Sequence, residues 1–281
     1  MHRNACAPGG APVLLGDAPS SAVGTARRLR LGGLPSAAGR APRPPPGRGP
    51  VGRVGQTVAM SPEPRRTTLT ARAVVFDMDG TLVDSTALVE RIWTDWCGPL
   101  GLDPGEVLAF AHGRQTADTV RRFQPDLDEE AVLRHVDALL SVEGSAPDGV
   151  VEIHGAAAFV AALPAAQVAL VTSAPGVIAH SRTAVAGVAL PAIVLASEDV
   201  AVGKPAPDGY LRAAELLGVD PGDVVVFEDA EAGLWAARAS GAQVVVVGDH
   251  DGPAAEGLPR IADYRGAGVA VADDGLLTLT L

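Results

Sequence analysis

Two aspartates stand two residues apart in Asp77-Met78-Asp79-Gly80-Thr81, directly after an apolar run. A turn at Gly80 brings both carboxylates into one small volume. A second acidic pair, Glu228-Asp229, follows another apolar run. Either pair alone reads as solvated loop acids. Carboxylates clustered together repel one another unless a cation neutralises them, and hard oxygen donors in this number suit Mg²⁺. Between the pairs lie Thr172-Ser173 and Gly203-Lys204-Pro205. Thr172 and Ser173 precede a helical stretch, so they read as N-caps, as part of an anion site at the helix N-terminus, or as both. Lys204 is the only lysine in the chain, against 21 Arg. A chain that uses Arg for generic cations reserves a lone Lys for a position needing a compact ammonium, unless it is an incidental surface residue.

Each of these groups sits at the end of an apolar run. Runs at 73–76, 168–171, 193–195, 224–227 and 244–247 are continuous rather than alternating, as in strands buried on both faces. Helical stretches at 176–185, 207–217 and 231–239 lie between them, with Pro207 opening one and Gly218 following its end. Strand–helix alternation of this kind predicts an α/β fold: a doubly wound parallel sheet, with its site at the carboxyl ends of the strands. About 85 residues without a strand candidate interrupt the alternation after the first strand, with helix-compatible stretches at 87–96, 104–111, 116–123 and 129–142. They predict an inserted helical domain over the site.

Residues 1–70 have another character. They hold ten Arg against two acids, 11 Pro and 11 Gly, and no aromatic residue. That composition buries too little apolar surface to fold and predicts a disordered tail, or an upstream extension ending before Met60. A transit peptide has similar composition, but Pro44-Pro45-Pro46 and the glycines would break its amphipathic helix. Residues 71–281 carry 12 basic and 31 acidic groups and all ten aromatics. Such an acidic surface is a poor partner for nucleic acid. The chain has no run of about 18 apolar residues to span a membrane, and the stretch near Val13 is too short for a secretory signal. Its two cysteines, Cys6 and Cys97, imply no disulfide framework and a reducing compartment, the cytoplasm. The chain is compatible with a monomer.

The four groups in this order, Asp-x-Asp-Gly-Thr, Thr-Ser, Gly-Lys-Pro and Glu-Asp, resemble the motifs of the haloacid dehalogenase superfamily across residues 72–250. The resemblance implies a core of 71–85 and 152–281, with 86–151 as its helical cap. It implies Asp77 as the nucleophile on phosphorus, forming an aspartyl-phosphate, and Asp79 as general acid and then base. Mg²⁺ would be held by Asp77, the Asp79 backbone carbonyl and Asp229, with Glu228 acting through water. Thr172, the Ser173 amide and Lys204 would take the phosphoryl oxygens, while Thr81 shapes the turn.

The cap segment His112-Gly113-Arg114-Gln115-Thr116-Ala117-Asp118 is similar to the cap loop of glycerol-phosphate and 2-deoxyglucose-6-phosphate phosphatases. On that likeness Arg114, Thr116 and Asp118 meet the hydroxyls of a small sugar or polyol phosphate; otherwise they are capping and solvated groups. Trp93 and Trp96 read as core, with Trp96 a possible chamber wall. Two other substrates stay open: phosphoglycolate, expected to be poorer, and the two phosphates of a β-phosphoglucomutase. That mutase would carry a His and an Arg where Val89 and Thr116 stand, although Arg114 could substitute. A phospho-aspartate receiver combines similar residues, but it lacks a cap and needs a long-lived phospho-aspartate that Asp79 would not allow.

Overall fold

The computed structural model describes residues 66–145 and 149–281. The first strand is β1 (Thr68–Ala71), and β2 (Ala73–Phe76) follows after one residue. Next come the two-residue β3 (Val83–Asp84) and four helices, α1 (Thr86–Leu100), α2 (Pro104–Ala111), α3 (Thr116–Phe123) and α4 (Glu129–Ser145). The chain returns through β4 (Val151–Glu152) to α5 (Ala156–Ala162), β5 (Val168–Val171), α6 (Gly176–Ala186) and β6 (Ile193–Leu195). Then follow α7 (Asp208–Leu217), β7 (Val224–Glu228), α8 (Glu231–Ser240) and β8 (Gln243–Val247). Three short strands finish the fold: β9 (Arg260–Ile261), β10 (Gly268–Val271) and β11 (Leu277–Thr280).

Six strands form a parallel sheet in the order β6-β5-β2-β7-β8-β9. β2, β5 and β7 are buried along their whole length, which is why they read as unbroken apolar runs. Alternate side chains go to opposite faces. Val74 and Phe76 pack with Phe159 and Val160 of α5 and Ala179 of α6, whereas Ala73 and Val75 pack with residues of α7 and α8. Helices therefore cover both faces, as the strand–helix alternation predicts. Phe76 stacks on Phe227 at a centroid distance of 5.2 Å, and Phe159 and Tyr264 close the cluster.

Two features depart from the sequence reading. Sequence reasoning places no strand between residue 76 and residue 168, yet β3 and β4 pair antiparallel on either side of the four helices. Two residues carry too little pattern to be read as a strand. Thr68, Leu69 and Thr70 fall within the expected tail but belong to β1, which pairs with β11 in a separate antiparallel sheet of order β1-β11-β10. Leu69 packs on the core, so pairing with a strand more than 200 residues away overrides a Pro- and Arg-rich local composition. The earlier part of the expected tail lies outside the described residues. No helix among the described residues is long and apolar enough to cross a membrane.

Candidate active site

The sheet switches direction between β2 and β7: the chain leaving β2 returns at β5 on one side and the chain leaving β7 returns at β8 on the other, so a crevice opens at their carboxyl ends. Asp77 occupies that end, its amide donating to the Phe227 carbonyl at 3.0 Å. The backbone then winds around the Met78 carbonyl, which accepts from Leu82 and Val83 at 2.8 and 3.0 Å. Gly80 makes this winding possible. Its φ is +79°, and a Cβ there would meet Asp229 Oδ2 at 2.0 Å. Thr81 is fully buried and donates to Asp229 Oδ1 at 3.3 Å, so it fixes the second acidic group as well as the turn.

Lys204 is a buried residue, not an incidental surface one. Its ammonium donates to Asp77 Oδ1 at 2.5 Å and to Glu228 Oε1 at 2.6 Å. Glu228 is fully buried, and Tyr210 and the amides of Asp229 and Ala230 also donate to it. Both Glu228 oxygens are thereby occupied. Burial pushes the Asp77 carboxyl up to about 7 from its ordinary 3.8; Lys204 opposes the rise, while Glu228 and Asp79 add to it. Burial also raises Asp229 well above the carboxylate range, with Glu228 and Asp77 adding to the shift. Burial disfavours the Lys204 charge, but Asp77 and Glu228 outweigh it and hold the ammonium well above its ordinary range. Asp77, Glu228 and Asp229 each present an oxygen within 4.8 Å of the others. Asp77 and Asp229, hard donors kept ionised only at a cost, are a fitting seat for a divalent cation.

Asp79 is held from two sides. Ser85 donates to its Oδ1 at 2.6 Å, and Arg182 Nη1 donates to Oδ2 at 2.7 Å. Arg182 is a buried arginine on α6, and its Nη2 reaches Glu143 on α4 at 3.0 Å. Sequence reasoning misses Ser85, Arg182, Glu143 and Tyr210. Arg182 left one trace: it falls four residues after Ile178, on the face where Ile178, Ala179 and Thr183 are also buried.

Asp77, Asp79, Thr172, Ser173 and Asp229 line one cavity of about 100 Å³, together with Arg114 and Thr116 from the helical segment. Thr172 is not a helix cap, because α6 begins at Gly176 behind Pro175. Its Oγ1 accepts from the Ala174 amide at 3.1 Å. The Ser173 hydroxyl donates to the Gly113 carbonyl at 2.8 Å, and Gln115 reaches the Ser197 carbonyl at 3.2 Å, so the loop before α3 rests on the sheet edge. Gly113 permits that approach: its φ is +74°, and a Cβ there would come within 2.9 Å of Ala230 Cβ. The Arg114 guanidinium lies 4.4 Å from the centroid of the Phe110 ring. Asp118 does not border the cavity; it pairs with Arg121 at 3.2 Å, three residues along the same helix. Both tryptophans pack in the core, as expected, but it is Trp93 and not Trp96 that also lines the cavity; Trp96 donates to His135 at 3.1 Å.

Residues 71–241 match the family described as haloacid dehalogenase-like hydrolase. The chain belongs to that family. Among similar hydrolases is Hexitol phosphatase A of Escherichia coli, 39% identical over 178 residues, which are 63% of this chain and 82% of that one. The 2-deoxyglucose-6-phosphate phosphatase 1 of Saccharomyces cerevisiae is 35% identical over 190 residues, 61% of this chain and 77% of the relative. A Beta-phosphoglucomutase of Mycobacterium tuberculosis is 32% identical over 241 residues, 72% of this chain and 89% of its own.

Proposed function

We propose that this hydrolase is a cytoplasmic, Mg²⁺-dependent phosphatase that cleaves small sugar or polyol phosphates through a phospho-Asp77 intermediate. One observation carries the reading: two carboxylates after β2, a Thr-Ser pair after β5 and Asp229 after β7 border a single small cavity roofed by Arg114 and Thr116. A carboxylate of Asp77 attacks phosphorus as the ester oxygen leaves, and Asp79 gives that oxygen its proton. Asp79, now ionised, takes a proton from the water that attacks phospho-Asp77, releasing inorganic phosphate and restoring the enzyme. Lys204, Thr172 and the Ser173 amide bear the charge on the phosphoryl oxygens. Asp77, Asp229 and the Asp79 carbonyl would hold Mg²⁺, which when bound neutralises these acids and the phosphoryl oxygens. Glu228, its oxygens already engaged, supports Lys204 and reaches the cation only through water.

The helical segment 86–151 acts as the cap, excluding polymers and setting the leaving group. The relatives named for hexitol and 2-deoxyglucose-6-phosphate support a hydroxylated leaving group. A mutase reading draws on the Mycobacterium relative and on Arg114 at the cavity, but the family resemblance places Val89 and Thr116 where a mutase would carry His and Arg. Phosphate release measured over hexitol, glycerol, hexose and glycolate phosphates with Mg²⁺ tests the proposal. Best turnover of a polyol or sugar ester supports it; preference for phosphoglycolate, or conversion of β-glucose 1-phosphate without phosphate release, overturns it.

A further inference from the structure

Arg182 is one of ten buried polar or charged residues among the described residues, and it bonds two carboxylates from different parts of the fold. Asp79 follows β2 at the sheet edge, whereas Glu143 belongs to α4 of the helical segment. The guanidinium is planar and presents its donors in a fixed fork, so occupying both partners at once sets their mutual placement. Its side chain is 4% exposed and that of Glu143 9%, so water competes little for either bond. With Oδ2 of Asp79 held by Arg182 and Oδ1 accepting from Ser85 at 2.6 Å, the plane of this carboxyl is fixed through both oxygens.

We propose that Arg182 is the positioning residue for Asp79, and that Glu143 makes this positioning depend on α4 being seated over the sheet. The inference rests on Asp79 acting as the general acid of the proposed phosphatase. Arg182 also borders the cavity, but its two terminal nitrogens are already engaged by Asp79 and Glu143, so it acts by keeping the Asp79 carboxyl aimed at the leaving oxygen. When α4 moves away, Arg182 loses one of its two anchors and Asp79 loses its fixed orientation. Proton donation is thereby tied to a closed chamber, in which the ester and not bulk water meets the acid.

Leaving-group dependence tests this in the full chain. Glycerol 1-phosphate expels an alkoxide that needs a proton, while p-nitrophenyl phosphate expels a stable phenolate that does not. For Asp79→Asn, kcat/KM on the glycerol ester should fall by about 100-fold or more, and on the aryl ester far less. Arg182→Met should show the same selective loss, Arg182→Lys should recover part of it, and Glu143→Gln should move the same way to a smaller extent. Because Glu143 acts through Arg182, the double variant should be no worse than Arg182→Met alone. Equal losses on both esters for Arg182→Met would mean a structural role and overturn the proposal, as would additive losses in the double variant. If Arg182→Met does not fold, the Lys and Gln variants carry the same comparison. Selective loss in Asp79→Asn without it in the Arg182 variants sinks this inference alone. A wild-type chain that releases phosphate from neither ester sinks the phosphatase reading with it.

Discussion

The Lys204 ammonium lies 2.5 Å from Asp77 Oδ1, and both residues are about 5% exposed. Such a pair orients the carboxylate that would attack phosphorus. Asp77→Asn keeps the shape but replaces the proposed nucleophile by an amide. Turnover should be abolished while the melting temperature stays near or above that of the parent, since burial penalises the Asp77 charge. Phosphate release near the parent rate would remove Asp77 from the nucleophile role.

Lys204 also touches Glu228, so its removal leaves two buried carboxylates facing each other. Breaking a buried pair by deleting one partner costs about 3–5 kcal/mol. Lys204→Met should therefore lose stability of that order in urea or thermal unfolding, beyond any loss of activity. A variant as stable as the parent would show that the carboxylates accept protons or water at little cost.

The raised Asp77 and Asp229 set a pH dependence of unusual sign for carboxylates. A carboxyl at about 7 when folded and near 3.8 when unfolded holds its proton longer in the native state. On its account stability is greatest below about pH 4 and declines as pH rises toward 7. A divalent cation relieves this by taking the ionised form, releasing protons as it binds. Added Mg²⁺ should raise the melting temperature more at pH 8 than at pH 5, and chelator should abolish both the difference and turnover. An equal shift at the two pH values would contradict the seat formed by Asp77 and Asp229.

Thr116 borders the cavity and Asp118 does not. Thr116→Ala should raise KM for glycerol 1-phosphate about two- to tenfold, the worth of one hydrogen bond, and change p-nitrophenyl phosphate less. Asp118→Ala should leave both constants nearly unchanged, because its carboxylate is spent on Arg121. A larger effect at position 118 than at 116 would reverse the assignment of the chamber wall.

β1 divides the amino-terminal region functionally. A chain starting at Met60 retains Thr68–Ala71 and its four pairings with β11, and should melt like the full chain. One starting at Arg72 lacks that strand and exposes Leu277 and Leu279, which are fully buried. It should be markedly less stable in a parallel thermal melt. Equal melting temperatures would show that the small sheet contributes nothing to the core.

The parallel sheet and the order of its motifs were legible in the linear chain for a physical reason. A strand buried on both faces must be apolar throughout, so 73–76, 168–171 and 224–227 announce themselves, and the polar residues that end them mark the sheet edge. The lone lysine was legible too, because composition made it an exception. Tertiary structure alone decided which polar groups face one another. Arg182 and Glu143 look like ordinary helix residues, and Ser85 like the residue that opens α1, until the chain packs around Asp79; the contacts span 39, 103 and 6 positions. Asp118 looked suited to the chamber but was taken by Arg121, a neighbour one helical turn away. Local pattern records how much of an element is buried; which charges meet across the cavity is set by the packing of helices whose order in the chain does not reveal it.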